Sequence, residues 1–287
     1  MKRAQEVLYP EHPEEVQPKQ TLDTGTPAIR AISASDDIKR WLAAGWHDLV
    51  RAPAVLLHGL VVAAVGALIL VLSWEQPVVS MIFISGFLLV GPILAVGVNE
   101  MARRLEQGGP TRFSTGLSAM RELGAAIWLY AAILIILFAL WAGIVWRWIG
   151  VLTMGDLAVP ASLGEVMGAM LASPQGMVSL LGFVAAGVVF ALAVFAISLV
   201  TLPAMLDRQR GLVDAMAISL KALKKNLGPL LLWGLLITAL FAISVATAFI
   251  ALIVIFPWLG LSMWHGYRGL VDQGERPSKA RSHPAHG

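Results

Sequence analysis

Long apolar runs alternate with short basic segments along most of this chain. Four runs contain no charged residue: 54–74, 78–98, 125–146 and 177–202. A further apolar run extends from Leu230 to about Trp264, and as one helix it would be about 52 Å long against a hydrocarbon core of about 30 Å. We interpret it as two spans joined by a turn near Ser244 to Thr247, with one long tilted span over 230–268 as the alternative.

The positions of the basic residues favour six spans. Lysines and arginines collect before the first span, between the second and third, between the fourth and fifth, and after the last apolar run. The positive-inside rule places all four clusters on the cytoplasmic side of a membrane. Six spans achieve this for every one of the 21 Lys and Arg residues except Arg147. The sequence therefore predicts a multi-span membrane protein with both termini in the cytoplasm.

The same unit recurs three times, as a short amphipathic helix followed by a helical hairpin. The apolar stripes of the three predicted interfacial helices are Ile38, Trp41, Leu42, Gly45, Trp46, Leu49 and Val50; Phe113, Leu117, Met120 and Leu123; and Leu212, Met216, Leu220, Leu223 and Leu227. The second span of each hairpin has a proline near its cytoplasmic end, which predicts helix kinks at Pro92, Pro203 and Pro257. An ancestral triplication would explain this pattern, and so would the ordinary occurrence of proline near helix ends.

The ends of the chain differ in composition from its centre. Residues 1–35 and 272–287 are polar, with little periodic apolar content, and we expect disordered tails there. Residues 36–271 form the predicted transmembrane helical domain. Between the third and fourth spans, the loop 149–176 contains a capping-box spacing that begins at Ser162, which predicts a short helix on the outer surface.

Composition excludes several classes of function. The chain is 57% hydrophobic and 14% charged, whereas a soluble domain has roughly 25% charged residues. The net charge of +3 comes from basic residues that flank the spans, so we expect no nucleic-acid binding. Without cysteine, and with only His58 and His265 near the bilayer, we expect no cofactor and no metal site. The usual nucleotide-binding and hydrolase motifs are absent, and we expect no catalytic residues.

Ionisable residues at the membrane define the candidate site. We group them as a polar vestibule on the cytoplasmic side: His58, Glu100, Arg103, Asp207, His265, Tyr267 and Arg268. Each has a simpler interpretation. Glu100 can form a helix-end ion pair with Arg103 or Arg104, His58 can be satisfied by a neighbouring carbonyl, and the segment from Trp264 to Arg268 can be an interfacial belt.

Three motifs at the ends of the second spans suggest a family. They are Gly-Phe-Leu-Leu-Val-Gly-Pro at 86–92 with the Glu100 and Arg103-Arg104 that follow, Leu-Pro-Ala-Met-Leu-Asp-Arg at 202–208, and Phe-Pro-Trp-Leu-Gly-Leu-Ser-Met-Trp-His-Gly-Tyr-Arg at 256–268. Over roughly 36–271 the chain resembles a proteobacterial family of predicted integral membrane proteins with a domain of unknown function. It departs from the family's pattern at Asn99, where an aromatic residue is expected. The resemblance implies an inner-membrane protein of about six helices and implies no activity.

Two functions remain open. The first is a non-enzymatic membrane scaffold or accessory protein, in contact with the lipid bilayer, anionic headgroups, a membrane-protein partner or a second copy of itself. It is favoured because the spans carry almost no charge, whereas ion-coupled carriers usually keep an acidic residue near the midplane. The alternative is a small transporter or channel with an access site on the cytoplasmic side.

Overall fold

A computed structural model of the chain describes residues 27–152, 163–208 and 210–271. These residues form twelve α-helices, with a short 3₁₀ turn at Pro53–Val55 before the second. The helices are α1 (Asp36–Arg51), α2 (Leu56–Leu72), α3 (Pro77–Leu94), α4 (Val96–Glu106), α5 (Phe113–Glu122), α6 (Ala125–Leu152), α7 (Leu163–Leu171), α8 (Pro174–Ser198), α9 (Thr201–Arg208), α10 (Leu212–Lys225), α11 (Leu227–Ala246) and α12 (Leu252–Leu270).

The long helices form three hairpins, as the hydrophobic pattern predicts. Among the residues that the structure describes, five helical segments are long and apolar enough to cross a membrane: Pro53–Leu72, Val79–Glu106, Ala125–Trp148, Pro174–Asp207 and Leu227–Ala246. The 19-residue α12 does not reach that criterion because its second half carries polar groups. The predicted all-α, multi-span fold class is confirmed. The number of spans established by length and composition is five.

The last apolar run is divided into two helices. After α11 the chain turns through Ala248 and Phe249, whose φ angles of 50° and 68° are left-handed. The backbone N–H of Ile32 bonds to Asn226 Oδ1 beside the start of α11 (2.9 Å), and Ile29 forms a β-bridge with Val271 just after α12. Because one short segment contacts both places, α12 returns to the side from which α11 departs. The alternative of one long tilted span is wrong.

That contact also extends the folded region beyond the predicted boundary. The predicted transmembrane domain begins at residue 36, but residues 29–32 are held by Asn226 and by the Lys225 side chain. Their partners lie almost 200 residues away along the chain, so local composition gave no sign of them. The predicted outer-loop helix is present as α7, while its predicted cap, Ser162, and most of both predicted tails lie outside the described residues.

Two of the second spans are interrupted near their prolines. The fourth span breaks between α8 and α9, next to Leu199, four residues before Pro203. Since proline has no N–H, the Leu199 carbonyl lacks the helical partner that position 203 would otherwise supply. The second span breaks at Ala95, three residues after Pro92, whereas α12 continues through Pro257 without a break.

The three units are arranged in a closed ring. Each short amphipathic helix packs on the end of the preceding unit's second span: α5 on α4, α10 on α9, and α1 on α12. The three ends α4, α9 and α12 also contact one another, so they form the centre. Each sequence unit therefore occupies an equivalent place in the arrangement. This favours a true repeat over the ordinary occurrence of proline near helix ends.

The apolar stripe of α1 is largely covered by protein. Ile38, Trp41, Gly45 and Leu49 are buried, and an added Cβ at Gly45 would lie 2.7 Å from a backbone nitrogen of α12. Two further members of the predicted stripe, Trp46 and Val50, are 49% and 65% exposed. Thus α1 uses most of its stripe to pack along α12, and only one edge faces outward.

Glycine allows α2 to pack closely against α12. An added Cβ at Gly59 would lie 2.2 Å from the carbonyl oxygen of Ile253 and 2.9 Å from Pro257. Ile253 precedes Pro257 by four positions, so this carbonyl is the one that the proline leaves without a helical partner. Gly59 therefore lets α2 cover the backbone carbonyl of Ile253, which lacks its helical hydrogen bond. At Gly182, by contrast, an added Cβ would meet nothing within 4 Å.

We expect Gly59→Ala to destabilise the protein by about 1–3 kcal/mol, because its methyl group would collide with backbone that cannot move away cheaply. Reversible unfolding in mixed detergent and SDS, followed by tryptophan fluorescence, measures the change. Gly182→Ala is the matched control, and it should be neutral or slightly stabilising because alanine favours helix. Equal effects at the two glycines would contradict the packing described.

Candidate functional site

The polar side chains predicted for the vestibule converge where α4, α9 and α12 meet. We call this group the polar cluster. It consists of Glu100, Arg103, Arg104 and Glu106 from α4, Glu122 from α5, Asp207 from α9, and Trp264, Tyr267 and Arg268 from α12.

Glu100 is the most deeply buried carboxylate of the cluster, with a side chain that is 0% exposed. It accepts hydrogen bonds from Arg103 Nε (2.7 Å), Arg103 Nη2 (2.8 Å) and Arg104 Nε (2.6 Å). The helical spacings of three and four residues bring both guanidinium groups to the same carboxylate. A carboxylate placed so deeply requires this degree of compensation.

Asp207 and Arg268 connect α9 to α12. Arg268 donates through Nη1 and Nη2 to the two carboxylate oxygens of Asp207, at 2.9 and 2.8 Å, and Tyr267 donates its hydroxyl to the same group at 3.0 Å. This forked geometry is the strongest that a carboxylate can form with a side-chain cation. Arg268 Nε also reaches Glu106 at 2.9 Å, so the same arginine holds α4 to α12.

The two halves of the cluster are electrostatically linked. Arg103 interacts with the charge of Asp207, and Arg103 and Arg104 both approach Glu122 on α5, at 3.4 and 3.5 Å. The cluster therefore balances the charges of three arginines against those of four carboxylates. Charges that are compensated at such short range act chiefly as a clamp between helices.

Two predicted members of the vestibule lie outside this network. His265 Nε2 is 2.7 Å from Asp48 on α1, on another side of α12. His58 is buried between α4 and α5, where an added Cβ at Gly97 or at Gly116 would lie 2.4 Å from its Nε2. Within the described protein neither ring nitrogen of His58 has a hydrogen-bond partner, so the predicted bond to a carbonyl is wrong. The two glycines create the gap that the imidazole fills.

Sequence reasoning missed Glu106 and Glu122 as members. Glu106 accepts hydrogen bonds from Trp264 Nε1 (3.0 Å) and from Arg268, residues about 160 positions later in the chain. Glu122 reaches the cluster only because α5 folds back along α4. Neither contact follows from helical spacing, and only the arrangement of the helices reveals them.

The chemistry available to the polar cluster is limited. In the described residues no group of three or more His, Asp or Glu side chains is placed to hold a metal ion. Its carboxylates accept hydrogen bonds from arginine, tyrosine or tryptophan within the protein. The arrangement fixes the relative positions of the helices and keeps their polar ends together.

The central part of the chain is similar to a known protein family. Residues 78–207 match a family model described as "Predicted integral membrane protein (DUF2189)". The match runs from α3 to α9, and it confirms the resemblance to a membrane-protein family of unknown function. Neither a curated protein nor a solved structure matches the chain.

Substitutions that break the ion pair between Asp207 and Arg268 test how strongly it holds α9 to α12. We expect Asp207→Ala and Arg268→Ala each to cost up to about 3–5 kcal/mol, because each removes one side of a largely buried ion pair. The remaining bonds to Glu106 and to Tyr267 compensate part of this loss. The double variant should cost less than the sum of the two, with a coupling of about 1–3 kcal/mol. Equilibrium unfolding in mixed micelles provides the three values.

The pair between Asp37 and Arg40 on α1 serves as the surface control, since the Arg40 side chain is 73% exposed. Asp37→Ala should change the free energy of unfolding by less than about 1 kcal/mol. Strictly additive losses at Asp207 and Arg268 would show that the two side chains do not stabilise each other.

Proposed function

We propose that this integral membrane protein is a non-enzymatic scaffold or accessory protein whose basic face associates with anionic lipid headgroups. The observation that carries the proposal is the outward face of α10.

α10 presents apolar and basic side chains side by side. Its buried face is formed by Leu212, Ala215, Ile218, Ser219 and Ala222, which differs from the stripe predicted from the sequence. Leu220 of that stripe is instead 48% exposed, and Val213 is 77% exposed. Lys221 and Lys224 are exposed next to them. A helix face of this kind suits the headgroup region, where the apolar groups insert and the lysines meet phosphate.

The basic residues of the protein fall into two sets. The buried or half-buried arginines of the polar cluster are compensated by carboxylates within the protein. In contrast, exposed cations line the amphipathic helices, among them Lys39 and Arg51 on α1, Arg121 on α5, and Lys221 and Lys224 on α10. Since the exposed set is free to meet solvent and lipid, it supports an association with an anionic surface.

The proposed topology places that surface in the cytoplasmic leaflet of a bacterial inner membrane. The start of α1 and the end of α12 lie together, as an even number of crossings requires, and the basic residues gather at the same end. Six crossings, with α12 as the sixth and both termini in the cytoplasm, agree with the positive-inside rule. Because α1, α2, α4, α9 and α11 surround α12, its polar second half is shielded from lipid.

A small transporter or channel remains the second candidate, favoured by a cavity of about 650 Å³ between α8 and α11. If the residues of the predicted vestibule formed its access site, Glu100→Gln and His265→Ala would abolish a measurable flux without lowering the protein level. We expect no ion or proton flux in proteoliposomes from the wild-type protein, since no described span carries an acidic residue at its centre. A flux that Glu100→Gln abolishes would favour the transporter.

Anionic lipid should stabilise the wild-type protein through α10. We expect phosphatidylglycerol, added to neutral detergent micelles, to raise the melting temperature, and the double variant Lys221→Gln/Lys224→Gln to lose most of that increase. Each lysine contributes about 1 kcal/mol at an anionic surface, and the effect should weaken with salt.

Arg147→Gln is the matched control, because Arg147 is also exposed but lies near the opposite end of the bundle on α6. It should retain the full response to phosphatidylglycerol. An equal response of wild type and double variant, or an equal effect of phosphatidylcholine, would refute the proposed association.

The topology has its own test. A reporter that is active only outside the cytoplasm, fused after residue 287, should be inactive, while a cytoplasmic reporter at the same position should be active. Activity of the external reporter would show that α12 does not cross and would overturn the six-span arrangement.

A further inference from the structure

Packing between the long spans of neighbouring units is missing at one of the three junctions. In two of the three units the first span packs along the preceding unit's second span: α2 against α12, and α6 against α3. The third pair, α11 and α8, are described along their whole length and do not pack in this way. They approach at Gly234, where an added Cβ would lie 3.4 Å from the Phe195 ring.

A cavity of about 650 Å³ occupies the space between them. Its walls come from α3, α4, α8, α9, α11 and α12, and nearly all of its lining side chains are apolar. Several lining residues are also exposed on the outer surface of the bundle, including Val184 and Val188 on α8 (52% each) and Leu235 on α11 (65%). The cavity therefore opens sideways, toward the hydrocarbon of the bilayer.

Its length corresponds to one leaflet. Along α12 the lining extends from Leu252 to Met263, which at 1.5 Å per residue is about 17 Å. The hydrocarbon core of a bilayer is about 30 Å thick, so one leaflet takes about half of that.

One end of the cavity is polar. Asn99 and Trp233 line it at the level of the polar cluster, and they are 3% and 0% exposed. Asn99 Nδ2 donates to the carbonyl of Ala95 (2.9 Å), but Asn99 Oδ1 and Trp233 Nε1 have no hydrogen-bond partner in the described protein. Buried groups of this kind normally have partners, and these two unpaired atoms, one acceptor and one donor, belong to residues that line the cavity.

We propose that this cavity holds one acyl chain of a glycerophospholipid from the leaflet next to the polar cluster. The chain fills the apolar body of the cavity and enters through the gap between α8 and α11. At the polar end, the ester region supplies an acceptor for Trp233 Nε1, and an ethanolamine or glycerol headgroup supplies a donor for Asn99 Oδ1. This site does not depend on the lysines of α10, so it can exist whether or not they bind anionic lipid.

Filling the cavity tests the proposal. The probe is palmitoyl-oleoyl phosphatidylethanolamine, added to the delipidated full-length protein and detected by native mass spectrometry. Ala191 on α8 lines the cavity, whereas Ala193 on the same helix is exposed and does not. We expect one lipid to be retained by the wild type and by Ala193→Trp, and retention to be about tenfold lower for Ala191→Trp, where the indole would compete for the same space.

A second pair of variants remains informative if Ala191→Trp folds poorly. Trp233→Phe keeps an aromatic ring but removes an N–H that has no protein partner, so it should lower lipid retention several-fold. Trp264→Phe is the matched control, because Trp264 is equally buried and its N–H bonds to Glu106. Both variants should lower the melting temperature of the lipid-free protein because both remove buried volume, but Trp264→Phe should leave retention unchanged.

Several results would contradict the proposed lipid site. Equal retention by wild type and Ala191→Trp, or no effect of Trp233→Phe, would overturn the proposal. So would a co-purifying polypeptide that Ala191→Trp displaces, because it would place a protein segment in the cavity. Lys221→Gln/Lys224→Gln should leave the retained phosphatidylethanolamine unchanged. A negative result for lipid binding in the cavity can therefore be distinguished from a negative result for the headgroup association of α10.

Discussion

The structure depends on the compensation of buried charge where α4, α9 and α12 meet. Between helices in a bilayer there is little hydrophobic force, so packing and polar contacts must hold them together. Glu100 and Asp207 require arginine partners at their depth, and Arg268 reaches both α4 and α9 from α12. The surrounding spans can be almost purely apolar because this centre supplies the directional contacts that they lack.

Close packing completes what the charged centre begins. The second and fourth spans are interrupted at Ala95 and next to Leu199, close to Pro92 and Pro203. At α12 the helix is unbroken, and Gly59 brings α2 over the carbonyl that Pro257 leaves without a helical partner. Proline thus has two consequences in one fold: it accompanies an interruption of the helix, and it creates a backbone group that a glycine-bearing neighbour covers.

Sequence alone could predict the three hairpins, the amphipathic helix before each, and the residues Glu100, Asp207 and Arg268 as polar side chains at one level. These follow from apolar run length, from helical period and from charge placement, all of which are local. Glu106, Glu122 and the ordered segment 29–32 could not be predicted, because their partners come from remote parts of the chain. The face that α10 buries could not be predicted either, since small side chains such as Ala215 and Ala222 pack there and larger ones remain outside.

Closure of the ring by α1 and α12 has a consequence for biosynthesis. α1 precedes every other described helix as the ribosome makes the chain, yet its partner is the last to emerge, and Leu42 and Trp258, which are joined by a hydrogen bond, stand 216 residues apart. Until then the apolar stripe of α1 has no protein to cover it. The final step of folding is therefore a long-range docking event, of the kind that is slow because distant segments must meet. During that interval the stripe of α1 is exposed to whatever else the nascent chain meets at the membrane.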